Sequence, residues 1–287
     1  MLHVGILLSL VPLVFWGAGD YVAAKLSRKM SSLEINFVYV TYSLIPPTVI
    51  CIFFGFPNVS AFVFAKFLLM SSIITAGFLC MVKGFSKGAI GLIAPLANAY
   101  AIVTLLVSVV FLGVKFSAHQ IPAILIVVAG VAVVSYQKSK YKDKTAAYSV
   151  IYGLLAMIFF GIGFALMAKI NIFEWYQNQL MLGVTSLLVG VIIMFVYERK
   201  HPFRAMIRSS KSKLGIAGSL IATTGTLGLF AAISISDNVI LTATIASAAP
   251  LITALLAYKF DHEHLNIRQR IGTIMVVGGV ILLNILV

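Results

Sequence analysis

The sequence predicts an all-α polytopic membrane protein whose ten transmembrane helices form two inverted five-helix repeats. Three observations predict this fold: an apolar composition, ten apolar runs of helix length, and an internal repeat. Of the 287 residues, 61% are hydrophobic and 10% are charged, whereas a soluble domain carries about 25% charged residues. Such a chain can hide its apolar surface only if lipid surrounds most of it. The composition excludes soluble, disordered and collagen-like classes.

The apolar runs predict helices and not barrel strands. A spanning helix needs about 20 mainly apolar residues, whereas a barrel strand needs about 10 residues of alternating character. These runs have the helix length and do not alternate. They cover residues 4–24, 35–56, 61–82, 88–112, 119–136, 147–168, 178–197, 214–234, 239–260 and 268–287.

Lysine and arginine residues are unevenly divided between the two ends of these helices. Eighteen of the 21 fall on one face, and the other face receives Lys66, Lys115 and Lys169. The positive-inside rule makes the basic face cytoplasmic, which predicts a multi-pass protein of the plasma membrane with both termini outside. The basic residues border apolar runs and form no stripe, so the net charge of +13 predicts contact with membrane lipids and not with nucleic acid.

The longest basic connection, residues 201–213, has two interpretations. Phe203, Met206 and Ile207 fall on one helical face, with arginine and lysine residues around them. This pattern favours a short amphipathic helix on the cytoplasmic leaflet. A solvated basic loop is the alternative.

An internal repeat divides the chain into residues 1–144 and residues 145–287. Phe15-Trp16-Gly17-Ala18-Gly19 reappears as Phe159-Phe160-Gly161-Ile162-Gly163, at an offset of 144. An offset of 149 pairs Thr104 with Thr253, Gln120 with Gln269, and Gly130 with Gly279. Because each repeat holds five helices, the second copy enters the membrane from the opposite face. Inverted repeats are a common design of secondary transporters, which bind their solute near the midplane between the repeats.

Three stretches of the chain resemble the drug/metabolite transporter superfamily, specifically its EamA-type ten-helix members. They are Phe15-Trp16-Gly17-Ala18-Gly19-Asp20-Tyr21-Val22-Ala23-Ala24-Lys25, then Ala94-Pro95-Leu96-Ala97-Asn98-Ala99-Tyr100-Ala101-Ile102-Val103-Thr104, and Ala249-Pro250-Leu251-Ile252-Thr253-Ala254-Leu255-Leu256. The resemblance implies a secondary transporter that moves a small organic metabolite, amino-acid-like or related, across the plasma membrane by alternating access. A proton-coupled exporter is the favoured version, and an uncoupled facilitator or an importer, for example of sugars, is the alternative. A polytopic membrane enzyme would need clustered polar residues at one membrane face, which the sequence lacks.

Asp20 is the proton-coupling candidate, because it lies inside the first apolar run and carboxylates within a membrane are rare and costly. It could exchange a proton between the two sides or hold a cationic solute. The structural alternative is an ion pair with Lys25 or Lys83 that neutralises it. At the matching position of helix six stands Phe164, so a proton site here would be asymmetric.

The resemblance also implies that helices one, three, four, six, eight and nine line a central cavity. Transferred position by position, the substrate pathway comprises Trp16, Asp20, Phe78, Asn98, Tyr100, Thr104, Phe160, Phe164, Thr224, Ser247 and Thr253. Aromatic rings would form a flat apolar wall, and the amide and hydroxyl groups would orient a solute. The alternative is that the rings face lipid and that the hydroxyls bond their own or a neighbouring helix.

Other residue types give fewer indications. Pro95 and Pro250 are hinge candidates, because proline inside a helix removes a backbone hydrogen bond. Small residues such as Gly130 and Gly278-Gly279 predict tight helix packing. No catalytic residues are predicted, and neither the two cysteines nor His262-Glu263-His264 has the spacing of metal ligands, so we expect no metal and no cofactor. A monomer suffices for the fused repeats, and a dimer is also compatible with the sequence.

Overall fold

The protein is described here by a computed structural model that covers residues 2–113, 121–135, 144–170, 172–197, 201–236, 245–246, 248–262 and 266–285. All regular secondary structure in these ranges is helical. The helices are α1 (Leu2–Ser27), α2 (Ser32–Tyr42), α3 (Ile45–Phe54), α4 (Ala61–Lys87), α5 (Ile90–Asn98), α6 (Tyr100–Leu112), α7 (Ile121–Ser135), α8 (Lys144–Ile170), α9 (Trp175–Tyr197), α10 (Pro202–Ser210), α11 (Lys213–Ser236), α12 (Pro250–Asp261) and α13 (Ile267–Ile285).

Seven stretches of the described chain are long and apolar enough to cross a membrane. They are Leu7–Ser27, Ser32–Phe54, Ala61–Lys87, Ile90–Phe111, Ala147–Met167, Trp175–Tyr197 and Lys213–Ile235. Two further predicted runs contain the shorter apolar helices Ile121–Gly130 and Arg270–Gly279, and the run at 239–260 is described only in part. The all-helical, multi-pass fold class is confirmed for the described residues, and the count of ten spans stays a prediction.

Two of the spans are broken near their middle. The span Ser32–Phe54 is interrupted between α2 and α3, just before Pro46-Pro47, and the span Ile90–Phe111 is interrupted at Ala99 between α5 and α6. The Ala99 N–H donates to the carbonyls of Pro95 and Leu96, at 3.0 and 3.3 Å. The hinge candidate Pro95 therefore lies inside α5, one turn before a break in the helix.

The second hinge candidate, Pro250, differs from its prediction as a residue inside a helix. It is the first residue of α12, a position where the missing N–H of proline leaves no helical bond unmade. Hydrogen-bonded turns precede it, with the Ala249 N–H donating to the Ala246 carbonyl at 3.0 Å.

The major helix pairs are α1 with α11, α4 with α8, and α7 with α13. In the last pair a Cβ atom on Gly130 would lie 2.7 Å from the Val276 nitrogen, and one on Gly279 would lie 3.0 Å from the Val127 nitrogen. The two contacts correspond at the repeat offset of 149, because Gly130 matches Gly279 and Val127 matches Val276. Gly278 was predicted to pack in the same way, but a Cβ there would meet open space.

The basic segment 201–213 contains the helix α10, so the amphipathic-helix interpretation is the one that the structure supports. Phe203 and Ile207 are exposed. The Arg208 Nε donates to Glu34 Oε1 at 2.8 Å, and the Tyr42 hydroxyl donates to the Ser210 carbonyl at 2.8 Å. These contacts fasten α10 to α2.

Candidate functional site

A cavity of about 190 Å³ lies among α1, α2, α4, α5, α6, α8, α9 and α11. Six aromatic rings contribute to its wall: Trp16, Tyr39, Phe78, Tyr100, Phe160 and Phe164. Its polar lining includes one carboxylate, that of Asp20, together with amides and hydroxyls. A largely apolar wall with a few polar groups is the usual character of a small-molecule site.

Both halves of the chain contribute to the cavity wall. Residues 1–144 supply 12 of the 23 lining residues and residues 145–287 supply 11. At the repeat offset of 144, Trp16 corresponds to Phe160 and Asp20 corresponds to Phe164, and all four line the cavity. Equivalent faces of α1 and α8 therefore enclose the same cavity.

Asp20 lies on the cavity wall with a single weak hydrogen bond among the described residues. The Asn98 Nδ2 is 3.5 Å from Asp20 Oδ2 and also donates to the Ala94 carbonyl at 3.1 Å. Asn98 itself is buried, as are all nine residues of α5. The side-chain amide thus presents its N–H group toward the carboxylate at the level where α5 ends.

The ion pair that was the structural alternative for Asp20 is not formed. Lys25 binds Asp261 of α12 instead, because five residues along α1 turn a side chain about 140° away from the Asp20 direction. Lys83 is exposed. Asp261, at the end of α12, is therefore the ion-pair partner of Lys25. Among the described residues that line the cavity there is no lysine, arginine or histidine.

The aromatic rings pack against one another and are held by hydrogen bonds. Tyr100 stacks on Phe164 with ring centroids 4.5 Å apart, and Trp16 lies 5.7 Å from Phe164. The Trp16 Nε1 donates to Thr226 Oγ1 at 3.1 Å, and the Tyr39 hydroxyl donates to the Gly19 carbonyl at 2.9 Å. These bonds orient an indole and a phenol whose positions would otherwise depend on packing alone.

Seven of the residues predicted for the substrate pathway line the cavity. They are Trp16, Asp20, Phe78, Asn98, Tyr100, Phe160 and Phe164. Thr224 is outside this set: it is exposed, and its hydroxyl donates to the Leu220 carbonyl of its own helix, whereas the adjacent Thr223 lines the cavity. Ser247 lies outside the described residues.

The remaining two predicted residues, Thr104 and Thr253, lie where helices cross and not in the cavity wall. The Thr104 hydroxyl donates to the Gly161 carbonyl at 3.1 Å, and the Thr253 hydroxyl donates to the Gly17 carbonyl at 2.9 Å. The two donors, Thr104 and Thr253, correspond at the repeat offset of 149, and the two acceptors, Gly17 and Gly161, correspond at the offset of 144. Each bond joins one half of the chain to the other.

Sequence reasoning missed the contribution of α2 and α9, which belong to the second and seventh apolar runs (35–56 and 178–197) and which the resemblance did not place at the cavity. Asn36 of α2 and Gln179 of α9 are buried amides, and both line the cavity. Gln179 Oε1 has no hydrogen-bond partner among the described residues. The available signal was the polarity of these residues inside or beside apolar runs, since an amide that faces lipid is costly.

The two ends of the bundle differ in their chemistry. At the end that carries Lys25 and Arg208, here called the basic end, the ion pairs Lys25–Asp261 and Glu34–Arg208 join the two halves of the chain. At the opposite end a buried apolar cluster lies beside the cavity. Its members are Phe67, Met70, Tyr100, Phe164, Met167, Ile170, Met181, Leu182, Leu229, Phe230, Ile233 and Ala246.

No group of three or more histidine, cysteine, aspartate or glutamate side chains that could hold a metal ion occurs in the described part of the chain. The site therefore offers hydrogen bonds, aromatic faces and one carboxylate as its means of recognition.

Comparisons with known proteins agree with this architecture. A family model named the EamA-like transporter family matches residues 3–136 and 147–285. No curated protein sequence matches. A crystal structure described only as that of a protein is similar over 100% of this chain and 98% of that chain, with a TM-score of 0.66 and 11% identity. At this identity the likeness shows the fold alone.

Proposed function

The chain belongs to the EamA-like transporter family, and we propose that it exports a small organic metabolite, amino-acid-like or related, across the plasma membrane in exchange for protons. Membership of the family makes it a multi-pass membrane transporter of small molecules. The solute, the coupling to protons, the direction and the plasma-membrane location are our proposal, as are ten spans in two inverted repeats, 1–144 and 145–287.

The pairing of cavity residues supports alternating access. Because repeat-related faces enclose the cavity, exchanging the conformations of the two halves would keep the same wall and move the opening to the other membrane face. The crossings at Thr104–Gly161 and Thr253–Gly17 supply two equivalent contacts about which the halves could rock. This is the observation that carries the transport mechanism.

Asp20 supports proton coupling. Its carboxylate lines the cavity without a cationic partner among the described residues. A carboxylate away from water is costly unless it is paired or protonated. A proton and a solute can therefore occupy the same carboxylate in turn, so that release of one accompanies binding of the other.

The orientation follows from the distribution of charge. The basic end carries Lys25, Arg208 and the helix α10, and basic segments favour the cytoplasmic side. Both termini then lie outside, and export starts from the basic end. The ion pairs at that end would separate each time the cavity opens toward the cytoplasm.

The test is solute-dependent proton flux in liposomes that contain the full chain and a trapped pH-sensitive dye. Amino acids, nucleobases, sugars and amines are added in turn to wild type, Asp20→Asn and Glu174→Gln. Glu174 is an exposed carboxylate away from the cavity, so its variant controls for the loss of one negative charge. We expect a solute-triggered signal that Asp20→Asn abolishes and Glu174→Gln retains.

Other outcomes would identify the alternatives. Flux that persists in Asp20→Asn would remove this residue from the coupling mechanism. Exchange of labelled solute without proton movement would make the protein an uncoupled facilitator. If no solute moves in either assay, secondary transport itself is contradicted.

A further inference from the structure

We infer that the transported solute is an organic amine without a free carboxylate, and that its ammonium group binds Asp20 between aromatic rings of the cavity. This inference rests on the proposed function only in taking the cavity as the solute site. It narrows the amino-acid-like or related solute of the proposed function to an amine that lacks the carboxylate of an amino acid.

The charges of the cavity favour a cation. Asp20 contributes a carboxylate, and no lysine, arginine or histidine is present among the described lining residues. Lys25, the nearest basic residue along α1, is bound to Asp261. A carboxylate of the solute would therefore enter an apolar cavity that holds a like charge and no cation, which is strongly unfavourable.

The aromatic rings favour the same ligand. Trp16 lies one helical turn before Asp20 on α1, and Tyr100 follows Asn98, the hydrogen-bond partner of Asp20, by two residues. The faces of such rings attract an ammonium group, and a ring of aromatic side chains is a recurring way to bind organic cations. The carboxylate and the rings can act on one ammonium group together.

Two acceptors of the cavity wall have unused hydrogen-bonding capacity. Asp20 Oδ2 has one contact at 3.5 Å, and Gln179 Oε1, on a side chain that is 3% exposed, has no partner within the described ranges. An unmade bond at a buried acceptor costs free energy that a donor on the ligand would recover. The second acceptor therefore fits a hydroxyl or N–H donor elsewhere on the amine.

The repeat gives the solute one orientation. Phe164 occupies the position that matches Asp20, and its ring stacks on Tyr100. The ammonium end is thus held on the α1 side, and the apolar part of the solute lies toward α8. An arylalkyl amine such as phenethylamine has this division into a cationic end and a flat apolar end.

Binding to the purified full chain in detergent tests this assignment without measuring transport. The chain has two tryptophans, Trp16 and Trp175, and Trp175 does not line the cavity. Trp175→Phe therefore leaves Trp16 as the fluorescent reporter inside it. The probes are phenethylamine, its carboxylated counterpart phenylalanine, its uncharged counterpart 2-phenylethanol, and tyramine, which adds a hydroxyl.

We expect phenethylamine to bind at least roughly tenfold more tightly than phenylalanine, and Asp20→Asn to weaken it by roughly 10–100-fold, as for other charge-assisted contacts. Glu174→Gln should leave its affinity unchanged, and Asp20→Asn should not weaken 2-phenylethanol. Gln179→Leu should reduce the preference for tyramine over phenethylamine. Phenethylamine should still bind to Gln179→Leu. A lost preference for tyramine would then reflect the loss of one contact and not a general loss of folding.

Equal binding of phenylalanine and phenethylamine, or unchanged phenethylamine affinity in Asp20→Asn, would overturn the inference. Amine binding without any flux in liposomes would leave the site assignment standing and contradict the proposed transport. Flux of carboxylated or neutral solutes with no amine binding would contradict the site assignment and leave the proposed transport standing.

Discussion

Helices α1 and α8 present equivalent faces to the cavity and differ there in chemistry. Trp16 and Asp20 of α1 correspond to Phe160 and Phe164 of α8, and all four line the cavity. The shape of the wall is thus repeated, whereas the charge is present once. The proposed alternating access needs equivalent packing in both halves, whereas the proposed binding of one proton or one ammonium group needs only one carboxylate.

The contacts behind these faces follow the repeat more closely than the faces themselves. The carbonyls of Gly17 and Gly161 each accept a hydrogen bond from a threonine hydroxyl in the other half of the chain. Two residues beside Asp20 differ from their counterparts: Asn98 corresponds in sequence to Ser247, and Tyr100 corresponds to Ala249. The crossings therefore follow the repeat, whereas the amide and the ring next to Asp20 occur in one half only.

Making the two faces alike in charge should have the largest effect. In Asp20→Phe the cavity loses its carboxylate and α1 matches α8 at this position. Loss of a charge-assisted contact is worth about 1.5–3 kcal/mol, so solute-driven proton flux in liposomes should fall by at least roughly 10–100-fold. Phe164→Leu, which removes a ring and no charge, should lower the flux much less. Equal losses in the two variants would show that the asymmetry has no role in coupling.

The repeat itself made much of the architecture predictable. The offset of 144 in the sequence paired Phe160 with Trp16 and Phe164 with Asp20, and the structure brings these four side chains to one cavity. The prediction succeeded because both helix crossings require a small residue, so the same short motif occurs in the sequence of each half.

Other features depend on contacts that no local pattern records. Asn36 and Gln179 line the cavity, but in helices that are apolar nearly all round the periodicity does not distinguish a cavity face from a lipid face. Lys25 and Asp261 are 236 positions apart, so no local sequence pattern could predict their ion pair. Thr104 and Thr253 were expected in the cavity because the family resemblance placed them there, and the sequence alone could not identify their acceptors, the Gly161 and Gly17 carbonyls.

Filling the two glycine crossings should test whether they are equivalent. A Cβ atom on Gly17 would lie 2.6 Å from the Ala249 carbonyl oxygen, and one on Gly161 would lie 2.3 Å from the Val103 Cβ. Gly17→Ala and Gly161→Ala should therefore each lower the free energy of unfolding by about 1–3 kcal/mol, measured by thermal unfolding in detergent. Gly278→Ala, where a Cβ meets open space, is the matched control and should change little. A large effect in only one of the two crossings would contradict the equivalence.

The threonine bonds at the same crossings should give a smaller and equal effect. Thr104→Val and Thr253→Val keep the side-chain shape and remove the donors to the Gly161 and Gly17 carbonyls. Each should cost about 0.5–1.5 kcal/mol, the usual net value of one hydrogen bond. The two costs should add in the double variant, since the bonds lie at separate crossings. Unequal costs would indicate that one crossing is held chiefly by other contacts.

The ends of α6 and α12 provide the smallest test, because one repeat has glycine where the other has histidine. Gly113 ends α6 with φ +69° and donates its N–H to the Ser108 carbonyl, and His262 ends α12 with φ +52° and donates to the Ala257 carbonyl. A left-handed conformation is strained for a residue with a Cβ, so His262→Gly should stabilise the protein by about 0.5–1 kcal/mol. Gly113→Ala should destabilise it by a similar amount. A lower melting temperature for His262→Gly would mean that the imidazole contributes more at this helix end than the backbone strain removes.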